Sequence, residues 1–503
     1  MNPDFAIAKS ALPVRQGRPK ESRAKGDYRA HVEVIPKFTC RFLCKLSRRK
    51  IGFIAKSRMN KSIQFTPLEA VEQSVSNKRL LTWFILVVLL VLSCSFRAAI
   101  AQETLTWKDC VREAAKNHPD LIAAEESLKQ SEAGKKIAAS IFYPQVSSDV
   151  SADRTSVSSS GKTAKTTNSY TYGLTATQLL FDGFKTPNNI KAALENIKAA
   201  QYDYRFTSSE VRLRLRGAFI NLLRAQELLN ITREIYNIRR SNLELITLRY
   251  ESGIEHKGAL MTAEANSAQA EFEIAQAKRT LEVAQRQLHK EMGRTRFSLP
   301  RVEGDFEVRD RALEKPDFEA LAGTHPSLNR LAAQKNAAFF GIKAAEANFF
   351  PQFSAQAGAN KNSAHWPPEN DQWNTGITLS LPLFEGGLRL AQTAQAKSVF
   401  NQLRANEQSA KDGLIAALEQ SWAALQDAVD TVEVEKKFLD AAEERSHIAR
   451  AQYSLGLIQF DGWTIIEDNL VRTKKSFLDA RSSALLAEAD WFQAKGETLE
   501  YAD

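Results

Sequence analysis

The chain has 503 residues and a formal charge of +9. That charge sits at the start: residues 1–101 hold 19 Lys and Arg against 6 Asp and Glu, while residues 102–503 hold 49 against 53, a net of −4. The basic balance therefore supports no nucleic-acid partner, and no run of 18 apolar residues follows residue 101, which excludes a conventional helical membrane protein.

Residues 1–77 are basic, contain proline and show no steady period. They read as a mis-assigned or disordered N-terminal extension, with Met59 as the initiator, or as a basic cytoplasmic arm. Residues 78–101 read as a signal peptide. Lys78 and Arg79 flank an apolar stretch at Leu80–Leu92, and Ala99-Ile100-Ala101 is a small-x-small cleavage site before Gln102. Val91-Leu92-Ser93-Cys94 is a rival, loose lipobox that would lipidate Cys94. Cys40, Cys44 and Cys94 all fall in this leader. Cys110 is then alone in the mature chain, so neither an internal disulfide nor a multi-cysteine metal site is expected.

A first repeat spans 102–300. Trp107–Ile141 has helical character, broken at His118-Pro119 and ended by Pro144. The period then changes to two, which predicts a hairpin over 145–180. Tyr170, Tyr172, Leu174 and Ala176 alternate with Thr171, Gly173, Thr175 and Thr177, and Ser156–Asn168 reads as a long polar loop. A long helix is predicted over 188–251, with Leu215, Leu222, Leu229, Tyr236, Leu243 and Tyr250 recurring every seven residues. A return helix follows at 259–292.

A second repeat spans 301–503, with a hairpin at 351–384, a long helix at 388–455 and a return helix at 463–496. Phe353, Ala355, Ala357 and Ala359 oppose Gln352, Ser354, Gln356, Gly358 and Asn360. Trp373, Thr375, Ile377, Leu379 and Leu381 oppose Asn374, Gly376, Thr378 and Ser380. One face of each hairpin is small, polar and free of charge, which suits a water-filled lumen. Strands of about ten residues match a tilted transmembrane β-strand.

The two repeats are one unit written twice. His118-Pro119 recurs as His325-Pro326 and Phe142-Tyr143-Pro144-Gln145 as Phe349-Phe350-Pro351-Gln352. Leu180-Phe181-Asp182-Gly183 recurs as Leu383-Phe384-Glu385-Gly386, and Tyr250-x-x-Gly253 as Tyr453-x-x-Gly456. Four strands cannot close a barrel, and open edges are not tolerated in lipid. Three chains supply twelve strands, so a homotrimer is expected.

This order of motifs, met twice over about 102–500, resembles the outer membrane efflux protein family of TolC-like channels. The resemblance implies a mixed α+β membrane protein, mostly α. Its long coiled-coil helices form a trimeric α-helical barrel joined to a 12-stranded transmembrane β-barrel, four strands per chain. It implies passive export across the Gram-negative outer membrane, with outer membrane lipid around the barrel. A periplasmic adaptor and an inner-membrane pump are the implied partners, and neither a cofactor nor a metal is expected. No nucleotide-binding glycine loop, His-Glu-x-x-His or nucleophile elbow is present, so no enzyme is expected. A structural coiled-coil protein of the envelope and a periplasmic adaptor subunit are the competing readings. Hairpins of transmembrane length argue against the first, and the duplication against the second.

By position, Gly253 and Gly456 resemble the helix tips where adaptor hairpins dock; each also reads as a plain C-cap glycine. Tyr453 matches a family position that holds the periplasmic entrance shut, and equally a heptad core aromatic. The family's usual acidic gate positions, six and nine residues past the second tip, are here Gly462 and Ile465. Asp461, Glu467 and Asp468 stand nearby as substitutes, or as acids favoured by a helix start. His118 and His325 read as helix-break residues, and His256 as a solvated tip residue or an adaptor contact.

Overall fold

The computed structural model describes residues 104–296, 298–307 and 314–501. The signal peptide, Met59 and Cys94 lie outside the described residues. The first repeat runs β1 (Thr104–Leu105), α1 (Trp107–Asn117), α2 (Pro119–Ser140), β2 (Gln145–Ser159), β3 (Lys162–Phe181), α3 (Lys185–Glu251) and α4 (Lys257–Glu291). The second runs β4 (Arg301–Val302), α5 (Phe318–Thr324), α6 (Pro326–Ala347), β5 (Gln352–Ser363), β6 (Asn370–Ser380), α7 (Leu388–Ser454) and α8 (Phe460–Ala494). A 3₁₀ turn at Leu499–Tyr501 follows.

The helix break is built identically in both repeats. His118 and His325 hold extended backbone conformations, and each is followed by a proline in the first helical turn. Each imidazole Nδ1 accepts the N–H two residues on, from Asp120 and from Ser327, both at 3.2 Å. Both histidines are therefore N-caps, the helix-break role their position suggested. The ends of the return helices pack on these breaks. A Cβ on Gly293 would lie 2.3 Å from the Asn117 carbonyl oxygen, and one on Gly496 would lie 2.6 Å from Pro326 Cδ. Each repeat thus closes on its own start.

The sheet is four-stranded and antiparallel, in the order β2-β3-β5-β6. Val146 faces Ala176, Val150 faces Tyr172, Leu174 faces Ala359, and Ala359 faces Trp373. Directly opposed residues share a face, so the apolar sets of all four strands form one continuous surface. Among the described residues it has no protein cover: Trp373 is 78% exposed and Ile377 72%. Aromatic rings mark both ends of it, Phe181 and Phe353 at one, Tyr170, Tyr172 and Trp366 at the other. Phe353 and Ser363 are ten residues apart on β5, about 33 Å along the strand and about 25 Å at a 40° tilt. That is the height of an outer-membrane apolar band.

Two expectations need correction here. Ser156–Asn168 is not a loop: β2 and β3 stay paired out to Ser159 and Lys162. Its polar residues carry no hydrophobic period, yet ladder hydrogen bonds satisfy the backbone without one. The polar face is also not free of charge, because Asp149 faces Gly173 and Asp153 faces Ser169 on that side.

The two long helices each contain 67 residues, about 100 Å of length. Helix α3 begins at Lys185, three residues before the expected start. The Asp182 carboxylate accepts the Thr186 N–H at 2.7 Å, and Pro187 is tolerated in a first turn. The predicted seven-residue row is buried at Leu215, Leu222 and Leu229. It then comes out: Tyr236 and Leu243 are half-buried and Tyr250 is exposed, while Ile235 and Asn242 take over. The partners change along α3. Asp203, near its start, pairs with Arg330 of α6 at 2.7 Å; Arg224 and Arg239, further down, pair with Asp479 and Asp468 of α8. Helix α7 is less covered and leaves Leu390, Val399, Val434, Phe438 and Ile448 exposed.

Candidate functional site

The far end of the helical part is built from two turns, α3–α4 and α7–α8. Gly253 and Gly456 end the long helices with φ of +71° and +73°. Ile254 N donates to Arg249 O at 2.9 Å and Gly253 N to Tyr250 O at 2.9 Å. The second turn repeats the pattern, Leu457 N to Gln452 O at 2.8 Å and Gly456 N to Tyr453 O at 3.0 Å. These are Schellman caps, which need a residue at positive φ and so favour glycine. No described atom lies within 4 Å of a Cβ at either glycine. The tips stand clear, with Ile254, Leu455 and Leu457 exposed on them.

Tyr453 is 1% exposed. Its ring stacks on Trp463 with centroids 4.4 Å apart and planes 14° apart. The Arg249 guanidinium lies 4.8 Å from the same ring, a cation–π contact. The phenol donates to Glu255 Oε2 at 2.6 Å, and Arg249 Nε lies 4.0 Å from that oxygen. Burial, then the Glu255 carboxylate, push the phenol well above its ordinary pKa, against a small opposing pull from Arg249. Tyr453 is thus a packed heptad aromatic and a tie between the two turns at once.

The acidic candidates separate. Asp461 is exposed in the first turn of α8, where the helix N-terminus favours a negative charge. Gly462 is exposed, and Ile465 beside it is 68% exposed. Asp468 is exposed but held by Arg239 of α3. Glu467 corrects its expected place: it is 1% exposed and turned into the helix pack, so it cannot line an acidic ring at an entrance. Its Oε1 accepts from Ser446 Oγ at 2.6 Å and its Oε2 from Asn242 Nδ2 at 3.5 Å. His256 is exposed and caps α4, its Nδ1 accepting from Ala259 N at 3.1 Å.

Sequence reasoning missed Arg249, Glu255, Asn242 and Ser446. A faint signal existed for two of them. Arg249 and Glu255 stand four before and two after Gly253, where the second repeat has Gln452 and Ile458 around Gly456. A charge pair present in one copy and absent from the other marks a place where the copies do different work.

A family profile described as Outer membrane efflux protein matches residues 110–294 and 319–497. Among curated proteins, the Outer membrane efflux protein BepC of Brucella suis biovar 1 (strain 1330) is 23% identical over 410 residues, 80% of this chain and 84% of its own length. The crystal structure of the Campylobacter jejuni CmeC outer membrane channel is similar at a TM-score of 0.68 and 18% identity, covering 77% of this chain and 85% of that one. The outer membrane protein VceC from Vibrio cholerae is similar at 0.67 and 19% identity, covering 78% and 96%.

Proposed function

This chain belongs to the outer membrane efflux protein family, and on that premise we propose that three copies assemble into a gated export duct served by a periplasmic adaptor and an inner-membrane pump. The protein is an outer membrane channel with a long periplasmic extension. The sheet carries the trimer reading. Its apolar face is uncovered, and among the described residues β2 and β6 are each paired on one side only. In lipid an open edge leaves backbone groups without partners. Pairing β6 of one copy with β2 of the next satisfies both edges and closes twelve strands around the polar face.

The helices then continue the duct as a tube, and the clear tips at Gly253 and Gly456 are the surfaces on which adaptor hairpins dock. Tyr453, tied to Glu255, holds the entrance narrow until the adaptor draws the turns apart. The outward face of the second turn offers Asp461 as its free acid. Transport energy comes from the pump; the duct is passive and performs no catalytic step.

Purified full-length protein tests this directly. Mass measurement in detergent should give three copies, and planar bilayers should show small unitary conductances that grow when the tip tie is cut. A monomer without conductance would sink the reading. Mass spectrometry of the mature N-terminus decides the leader: Gln102 marks plain cleavage, an acylated Cys94 marks a lipid anchor.

A further inference from the structure

We infer that Glu467 is the hub of a second latch, set back from the tips, that holds the α7–α8 hairpin against α3. The inference rests on the gated-duct reading above. Glu467 lies on α8 and is buried. It accepts one hydrogen bond from Ser446 on α7 and one from Asn242 on α3, at 2.6 Å and 3.5 Å. The next residue, Asp468, is bound by Arg239, which precedes Asn242 by three on α3 and so shares its face. Two successive acids of α8 are therefore both held by α3. Ser446 is seven residues from Tyr453, about 10 Å along the helix. The tip tie joins α7 to the α3–α4 turn; the Glu467 triad joins α8 to the body of α3.

Stability alone does not call for a carboxylate here. The site sits among Ile246, Ala263, Phe460 and Trp463, where an apolar side chain would pack without the cost of burying a charge. A polar triad has two properties an apolar contact lacks. Its bonds are satisfied in one arrangement of the three helices. When the seam parts, the carboxylate meets water and is solvated, whereas a leucine would expose apolar surface. Such a group suits a seam that must both close and open. The surroundings agree. A cavity of about 10 Å³ beside Glu467 is lined by Asn242, Asn266 and Thr464, room for one water molecule. The indole Nε1 of Trp463, buried at its wall, has no protein partner among the described residues.

The test uses the assembled trimer in planar bilayers, with trimer yield and melting temperature measured alongside. Glu467→Gln and Ser446→Ala should raise open probability several-fold with the trimer intact. Glu467→Leu should lower it below that of the unaltered channel, because its seam no longer tolerates water. Open probability unchanged in all three, with or without a fall in melting temperature, overturns the latch and leaves Glu467 a packing residue. If Glu467→Gln fails to assemble, Ser446→Ala paired with Asn242→Ala decides, since both leave the carboxylate in place. An unaltered trimer that conducts nothing overturns the duct reading, and the latch with it.

Discussion

The Tyr453 hydroxyl donates a 2.6 Å hydrogen bond to Glu255 Oε2 across 198 residues of sequence. It binds the end of one repeat's long helix to the turn that follows the other's. The bond is enclosed: the Glu255 side chain is 11% exposed and Tyr453 is buried. A tie of this kind is worth more than a surface bond, because breaking it strands a carboxylate.

Tyr453→Phe keeps the stack on Trp463 and deletes the donor. The expected cost is about 1–2 kcal/mol, read as a lower melting temperature. Unitary conductance should rise, because the two turns are no longer joined. A variant with lower stability and unaltered conductance would make the bond structural only.

The glycines should divide into two classes. Gly456→Ala and Gly253→Ala meet open space, so the cost is the positive φ alone, about 1 kcal/mol. Gly293→Ala meets the Asn117 carbonyl at 2.3 Å and must move the start of its own repeat. Outer-membrane protein levels should be near normal for the tip variants and collapse for Gly293→Ala. Similar levels for both classes would contradict the packing described.

His325 makes stability fall on the acid side. Burial holds its pKa below the ordinary 6.5, partly opposed by a hydrogen bond with Gln493. The unfolded chain therefore takes up its proton first as pH falls. The stability contribution is full above about 6.5 and is lost as pH drops from there through the lower folded value. His325→Asn keeps a capping oxygen and removes the titration. Melting temperatures of the two proteins should converge or cross as pH is lowered, and a constant gap between them would refute the assignment.

Asp149 and Asp153 share the polar face of the sheet, while the exposed face after the second tip carries Gly462 and Ile465. In a salt gradient the Asp149→Asn, Asp153→Asn double variant should shift the reversal potential away from cation preference, and by more than Asp461→Asn does. A larger shift from Asp461→Asn would place the dominant charge at the periplasmic end instead.

Cys110 is fully buried, and that burial raises its thiol pKa to about 12. A maleimide should leave Cys110 unlabelled in the native protein and react with it after denaturation. Labelling under native conditions would mean that the packing of α1 on α3 opens readily.

Much of this molecule was readable from residues 102–503 in isolation. The duplication, the switch from period two to period seven, the histidine breaks and the glycine caps are encoded in windows of a few residues, because caps and faces depend on local backbone preference. The polar ribbon at Ser156–Asn168 escaped notice because its extension rests on ladder pairing, which leaves no mark in a run of Ser, Thr and Lys. The seam escaped for a different reason. Tyr453 with Glu255, and Glu467 with Asn242, are pairs separated by 198 and 225 residues. Which side chains meet there depends on the rotation of two 67-residue helices. The change of packing partner along that length, from α6 to α8, brings Ile235 and Asn242 inward in place of Tyr236 and Leu243. The sequence determined the elements and the apolar side of the sheet; tertiary packing alone decided which of the acids near the second tip, Asp461 or Glu467, faces out.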